Sequence, residues 1–311
     1  MPGSPTTLGM RRVALIASLI ALIGAGCGSP STPSASPASS AGLPASAPIM
    51  PPTPTSTPSN QPTPTTSASP TPPAFRLPPP NAGFDYQLGG AYPPPSGVAV
   101  VSRDRTEAPA PGLFNICYVN GFQVQSGEVD FWKANYPDLM LKDAKGKLVI
   151  DPDWDEYMLD PRTPAKRSAL ADVIGVWIAG CAAAGFDAVE IDNLDTFTRS
   201  NGLITEDDAV AQVRLLADAA HARGLAIAQK NSAEIVGRRD EMGTDFAVAE
   251  ECDRYSECDV YTGAYGDNVI VIEYRRRDFD KGCAAYPNLS IVLRDLDLVT
   301  PADKGYVYDA C

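Results

Sequence analysis

Histidine occurs once in the 311 residues, at His221, and no Cys-x-x-Cys pair or Cys/His cluster of zinc spacing accompanies it. A metal centre built on those ligands is therefore not expected, and nothing in the sequence calls for another cofactor. His221 lies late in a helical stretch, Ala220-His221-Ala222-Arg223-Gly224. The negative end of a helix dipole accounts for it there without a catalytic role. No Gly-x-Gly-x-x-Gly follows any apolar run, which argues against an open dinucleotide-binding sheet. Basic residues are too few to balance the acidic ones, 25 Lys and Arg against 38 Asp and Glu, for a formal charge of −13. Such a balance disfavours nucleic acid and anionic membrane as partners.

What the N-terminus does contain is an export pattern over residues 1–27. Arg11 and Arg12 precede an apolar run from Val13 to Ile23, too short to span a bilayer as a mature helix, and small residues lead to Cys27. Gly24-Ala25-Gly26-Cys27 resembles a bacterial lipobox, although Gly24 stands where Leu is usual. The expectation is a lipidated Cys27 that anchors the protein to the outer face of the cytoplasmic membrane, or secretion if Cys27 is not lipidated. Residues 28–80 hold 17 of the 30 prolines among Ser, Thr and Ala, with Arg76 as the single charge. Too little apolar surface is available there to offset the entropy of ordering, so the segment reads as an extended, disordered stalk.

Residues 81–311 fit one domain of barrel size. With Arg11, Arg12 and Arg76 upstream, this domain carries 22 basic and 38 acidic residues, a charge of −16 that would suit a cationic partner. Six cysteines fall here, and an even count in an exported domain suggests disulfides. Locality favours Cys252–Cys258 and Cys283–Cys311. Cys117, in an apolar strand, and Cys181, on an apolar helix face, are left either as buried thiols or as a third pair.

Nine short apolar runs are strand candidates: Phe84–Leu88, Val98–Ser102, Leu113–Asn120, Tyr157–Asp160, Ala188–Asn193, Leu225–Asn231, Phe246–Glu251, Val269–Tyr274 and Leu289–Asp295. Between Pro164 and Gly185, Leu170, Val173, Ile174, Trp177, Ile178 and Cys181 recur at helical spacing. Thr205 and Asp208 form a capping-box signature for a second helix, and Gly224 closes it. Strands apolar on both faces, alternating with amphipathic helices, predict a parallel sheet covered by helices. The expected fold is an α/β (β/α)₈ barrel of about eight strand-helix units. One of the nine runs is then an extra, expected near the first or the last.

In such a barrel the reactive side chains project from the C-terminal strand ends. Tyr118 and Asn120, Asp160, Asp192 and Asn193, Lys230 and Asn231, Glu250 and Glu251, and Glu273 with Tyr274 occupy those ends. Several carboxylates around one lysine suit acid-base chemistry on coupled groups.

Tyr86-Gln87-Leu88-Gly89, Ile116-Cys117-Tyr118, Val189-Glu190-Ile191-Asp192-Asn193, Gln229-Lys230-Asn231, Ala249-Glu250-Glu251-Cys252 and Ile272-Glu273-Tyr274 occur in an order that resembles glycoside hydrolase family 114. That resemblance implies a TIM barrel and endo-α-1,4-polygalactosaminidase activity on a galactosamine-containing, cationic polysaccharide. It puts the family's Asp-Asn on Asp192 and Asn193 and its Glu-Gln-Cys on Glu250, Glu251 and Cys252, with Glu251 in place of Gln. Met158-Leu159-Asp160 stands where the family has Trp-Leu-Asp, so an aromatic sugar platform is missing there.

Two carboxyl groups on different strands can flank a glycosidic bond. Asp192 is assigned as nucleophile and Glu250 as acid/base, with Asn193 and Lys230 available to keep Asp192 ionised. Tyr118, Asp160, Asn193, Lys230 and Glu273 are the candidate substrate-binding residues. Two other functions fit the same barrel. One is hydrolysis of a neutral cell-wall or capsular glycan, and the other is a non-catalytic carbohydrate-binding lipoprotein. A monomer is expected in each case.

Overall fold

The computed structural model describes residues 75–311; the export segment, Cys27 and most of the stalk lie outside the described residues. Its strands, in chain order, are β1 (Gly83–Gln87), β2 (Val98–Asp104), β3 (Phe114–Asn120), β4 (Gln123–Val124), β5 (Tyr157–Met158), β6 (Ala188–Asp192), β7 (Ala226–Lys230), β8 (Phe246–Glu250), β9 (Val269–Glu273), β10 (Ser290–Arg294) and β11 (Tyr308–Ala310). The sheet runs β1-β2-β3-β6-β7-β8-β9-β10-β11, parallel throughout except where β11 pairs antiparallel with β10. The eight parallel strands are those of a barrel, and each overlaps one of the nine runs expected from sequence, β1 starting one residue earlier and β2 running two residues further.

The extra run is not at either end. Tyr157–Met158 forms a two-residue ribbon with Gln123–Val124, directly after β3, and takes no part in the barrel wall. Helices are also fewer than eight strand-helix units require. β1 to β2 and β2 to β3 cross over through loops without a helix, whereas each later crossover carries helical segments.

Alternation along the strands separates two layers. Phe84, Tyr86, Ile116, Ala228, Val248 and Ile272 point into the barrel and pack together. Val119, Val189, Ile191 and Ile227 point outward against helices α2 (Pro164–Ala184) and α4 (Glu206–His221), where Leu170, Ile174, Val213 and Leu216 meet them. Each such fully buried side chain contributes about 1.5–3 kcal/mol relative to exposure. Helix α2 starts where the Thr163 side chain accepts from the Lys166 amide with Pro164 in the first turn, and it stops at Gly185, whose φ of 96° suits glycine. Helix α4 opens on the Thr205/Asp208 capping box.

All three cysteine pairs are bonded. Cys252–Cys258 and Cys283–Cys311 join as locality suggested. Cys117 and Cys181 are the third pair, with Cα atoms 6.1 Å apart, stapling β3 to α2 through the outer core. Two buried positions that each explain a free thiol turn out to face one another.

Where β1 and β10 meet, no strand ladder closes the wall, and side chains do so instead. Arg294, fully buried, reaches from β10 to Asp85 of β1 at 3.0 Å, to the Tyr86 carbonyl, and to the carbonyls of Val299 and Val307 at 3.0 Å each. Asp85 also accepts from Gln87 Nε2 at 2.7 Å and Tyr92 OH at 3.0 Å. The Ala82 amide donates to Ser290 Oγ across the same gap at 2.9 Å.

Breaking one side of a buried ion pair leaves an uncompensated charge, so Arg294→Met should cost about 3–5 kcal/mol. Adding Asp85→Asn should recover a substantial part. Guanidinium denaturation of the two variants checks both statements, and a double variant no more stable than Arg294→Met would show that the pair does not carry the seam. Non-reducing peptide mapping should recover the three cysteine pairs and no free thiol among these six positions.

Candidate active site

Seven side chains of one parity converge at the C-terminal end of the barrel: Tyr86, Tyr118, Glu190, Asp192, Lys230, Glu250 and, one residue beyond β9, Tyr274. Lys230 stands at the centre. Its Nζ lies 3.2 Å from Glu190 Oε1, 3.2 Å from Asp192 Oδ1 and 3.3 Å from Glu250 Oε2, and it donates to Tyr86 OH at 3.0 Å. Below it, Glu190 accepts from Tyr86 OH at 2.7 Å and from Ser102 Oγ at 2.8 Å. Above it, Tyr118 OH donates to Asp192 Oδ2, while Tyr274 OH and Asn231 Nδ2 donate to the two oxygens of Glu250.

Burial grades through this stack. The side chains of Glu190 and Lys230 are 0% and 3% exposed, whereas those of Asp192 and Glu250 are 19% and 26% exposed. Burial alone would lower the Lys230 ammonium, but Asp192, then Glu250, then Glu190 reverse this and hold it well above its ordinary value. Burial alone would raise Asp192; Lys230, the Tyr118 hydroxyl and the Asn193 amide overcome it, so the carboxylate is held below its usual range. Glu190 is pushed up, chiefly by burial, with Lys230 opposing and Asp192 adding to the rise. Burial also pushes the hydroxyls of Tyr86, Tyr118 and Tyr274 up, which keeps them as donors. The result is an ionised Asp192 beside a permanently charged lysine, with Glu250 within reach of the same nitrogen.

The residue after each of the three central strand ends bends the chain sharply. Asn193, Asn231 and Glu251 have φ of 59°, 49° and 55°. Asparagine visits this left-handed region readily and glutamate less so, and strained backbone of this kind concentrates at functional sites. These bends fall immediately after Asp192, Lys230 and Glu250. Asn231 then folds back on β8, its Oδ1 accepting from the Glu250 amide at 2.8 Å.

Four sequence candidates, Tyr118, Asp192, Lys230 and Glu250, meet in this network. The side chains of three others lie outside it. Asn193 steadies Asp192 through its backbone amide, while its side chain accepts from Arg199. Asp160 does not end a barrel strand. Its carboxylate is buried and bound by Arg162 at 2.7 and 2.8 Å and by Lys166 at 2.5 Å, which ties the start of α2 to the loop before it. Glu273 has the parity of Val269 and Val271, which pack in the outer layer, so it points out of the barrel. There it accepts from the Asp253 amide at 2.9 Å and is fully buried, with Oε2 unpartnered among the described residues. Tyr274, its neighbour, is the residue that faces in.

Glu190 was absent from the sequence candidates. It lies two residues before Asp192 on a strand, hence on the same face one step deeper, and that spacing alone points to it. His221 bonds Asp245 at 2.8 Å and stacks on Phe75, remote from this network in its contacts.

The model of glycoside-hydrolase family GH114 matches residues 63–311. Among solved structures, the Aspergillus fumigatus protein Ega3, crystallised in complex with galactosamine, is similar at 24% identity over 76% of this chain and 98% of that one, with a TM-score of 0.61. The glycoside hydrolase domain of PelA from Pseudomonas aeruginosa is 18% identical over 73% of this chain and 98% of its own, with a TM-score of 0.48. No match is found among curated protein sequences. The likeness to Ega3 agrees with the barrel seen here.

Glu273 generates a prediction about stability. Burial raises it from 4.5 to about 7. An acid raised in the folded state favours folding while neutral in both states, below about pH 4.5, and this support declines as pH rises to about 7 and is gone above it. The corresponding loss is about 3 kcal/mol. Glu273→Gln, which cannot ionise, should therefore be more stable than wild type at pH 8 by up to that amount and lose this advantage at pH 4.5. Urea denaturation at the two pH values measures it; the same difference at both would mean that Glu273 is not held neutral.

Proposed function

We propose, for a chain that belongs to glycoside-hydrolase family GH114 and is therefore a glycoside hydrolase, an endo-acting cleavage of α-1,4 bonds in a galactosamine-containing polysaccharide by double displacement on Asp192 and Glu250. The observation that carries this reading is the shared contact with Lys230. Two oxygens at 3.2 and 3.3 Å from one nitrogen cannot lie further apart than those contacts end to end, about 6.5 Å, which favours the ~5–5.5 Å spacing of retaining enzymes over the wider inverting one.

In the first step Glu250 gives a proton to the glycosidic oxygen while an Asp192 oxygen attacks the anomeric carbon, so the leaving sugar departs with that proton and a glycosyl ester forms on Asp192. In the second step Glu250 takes a proton from water, the hydroxide oxygen attacks the same carbon, and the ester bond returns its electron pair to Asp192. Lys230, the Tyr118 hydroxyl and the Asn193 amide stabilise the ionised Asp192 at the start and end of the cycle. Glu250, the more open to solvent of the two, is suited to exchange its proton with sugar oxygen and water.

The galactosamine in Ega3 and the −16 charge of residues 81–311 support an amino-sugar polymer. A cleft with several carboxylates raises the local concentration of a polymer bearing ammonium groups. Export with a lipid on Cys27 belongs to the same reading and supplies access to such a polymer outside the cell. Metabolic labelling with a radioactive fatty acid, retained by wild type and lost in Cys27→Ala, tests the anchor.

Asp192→Asn and Glu250→Gln should each lower turnover by a factor on the order of 10³ or more, with Tm within a few degrees of wild type. Proton NMR of the first product should show retention of the α configuration, and inversion would replace the ester step by direct attack of water. On a polymer series, kcat/KM should fall with added salt and with chemical re-acetylation, since screening acts over about 8–10 Å at 0.10–0.15 M. Flat responses, with a neutral α-glucan cleaved as well, would reject the cationic substrate.

A further inference from the structure

We propose that the loop from Asp151 to Glu156 is a sugar-binding platform beside the catalytic mouth, in which Trp154 stacks on an amino-sugar unit away from the cleaved bond while Asp153 and Asp155 receive its ammonium group. The inference rests on the galactosamine reading above and adds a subsite to it.

Trp154 is 54% exposed, against 0% for Trp132. Among the described residues no aromatic ring or cation stacks on it, and the carboxylates of Asp153 and Asp155, both exposed, make no ion pair or hydrogen bond. An indole held in water between two free carboxylates is an unpartnered surface of definite chemistry. Its flat apolar face matches the C–H face of a pyranose, and its π-cloud and flanking charges match a nearby cation.

The loop is mounted rigidly and at the mouth. The Asp151 carboxylate, fully buried, accepts from Gln123 Nε2 at 2.6 Å and from Arg199 Nε at 2.6 Å. Gln123 follows β3, and Arg199 follows β6 by seven residues beyond Asp192. At the other end Glu156 accepts from Asn120 Nδ2 at 3.2 Å, and Asn120 is the register partner of Asp192. The loop also closes on itself. The Asp155 amide donates to the Asp151 carbonyl at 3.0 Å, the Asp151 amide to the Glu156 carbonyl at 2.8 Å, and the Asp153 amide to the Asp151 side chain at 2.9 Å, with Asp155 at φ 58°. A platform ordered before ligand arrives loses little conformational entropy on binding. This geometry also answers the missing aromatic at Met158, whose side chain is buried against Leu141 and Ile204 and cannot meet a sugar, whereas Trp154 can.

The three tryptophans make the test selective. Trp132 is buried and Trp177 is half-buried against it beneath Arg105, so solvent quenching reads Trp154. In the full exported protein carrying Asp192→Asn, galactosamine oligosaccharides should shift the emission saturably and protect it from acrylamide. N-acetylated oligomers should bind about tenfold more weakly, as should galactosamine oligomers to a protein that also carries Asp153→Asn and Asp155→Asn, and Trp154→Ala should abolish the signal. In otherwise wild-type protein, Trp154→Ala should raise KM for long polymer about tenfold more than for the shortest oligomer cleaved. Cleavage of the galactosamine polymer without any emission change at saturating oligomer overturns the platform and leaves the proposed reaction standing. An emission change on galactosamine oligomers without cleavage of the polymer supports the platform and sinks the reaction.

Discussion

A lysine ammonium at 3% exposure, enclosed by three carboxylates, is the interaction around which the mouth is organised. A buried charge without partners would give up its proton or disrupt the fold. Lys230 is kept charged because Glu190, Asp192 and Glu250 converge on it from two neighbouring strands and its distance to each is set by the strand register. Asp192 and Glu250 keep some exposure to solvent, whereas Glu190, the deepest of the three, is fully buried. Tyr86 and Ser102 hold it from β1 and β2, which makes the far side of the barrel part of the support for Asp192.

That support depends on the wall being closed. β1 has no ladder partner on the β10 side, and Tyr86 belongs to β1. Arg294 both pairs with Asp85 and bonds the Tyr86 carbonyl, so one buried arginine fixes the strand that carries the tyrosine under Lys230. The disulfides act on the other face of the wall, Cys117–Cys181 behind Tyr118 and Cys252–Cys258 just after Glu250. The seam thus fixes β1 against β10, Cys117–Cys181 ties β3 to α2, and the charged stack links the strand ends within the barrel.

The eight wall strands and the two long helices were legible because burial imposes a length and a period on apolar residues, and Pro164, Gly185, Thr205 and Asp208 mark the helix ends as their chemistry dictates. The side a strand residue faces was less legible. In Val269-Ile270-Val271-Ile272 both faces are apolar, so nothing in the run says whether Glu273 or Tyr274 turns inward; only the packing of Val271 outward and Ile272 inward decides. Phe246-Ala247-Val248-Ala249 is equally silent, and the resemblance rather than the pattern selected Glu250. Asp160 misled for a different reason. A two-residue strand pairing antiparallel with a neighbour thirty-odd positions away carries no local period, and its carboxylate answers to Arg162 and Lys166 nearby in sequence.

The described chain also has a direction relative to the mouth. Phe75 stacks on His221 with ring centroids 4.7 Å apart, and Arg76 pairs with Asp187 and lies over the Phe114 ring. Asp187 precedes β6, Phe114 begins β3, and His221 ends the helix that leads into β7, so all three belong to the N-terminal end of the strands. The exposed Arg76 pair by itself contributes little. The stacked rings are the firmer contact, and they give the single histidine a packing role. Residues 75 and 76 therefore meet the barrel on the face opposite Asp192 and Glu250, and they take no part in the surface around those two carboxylates.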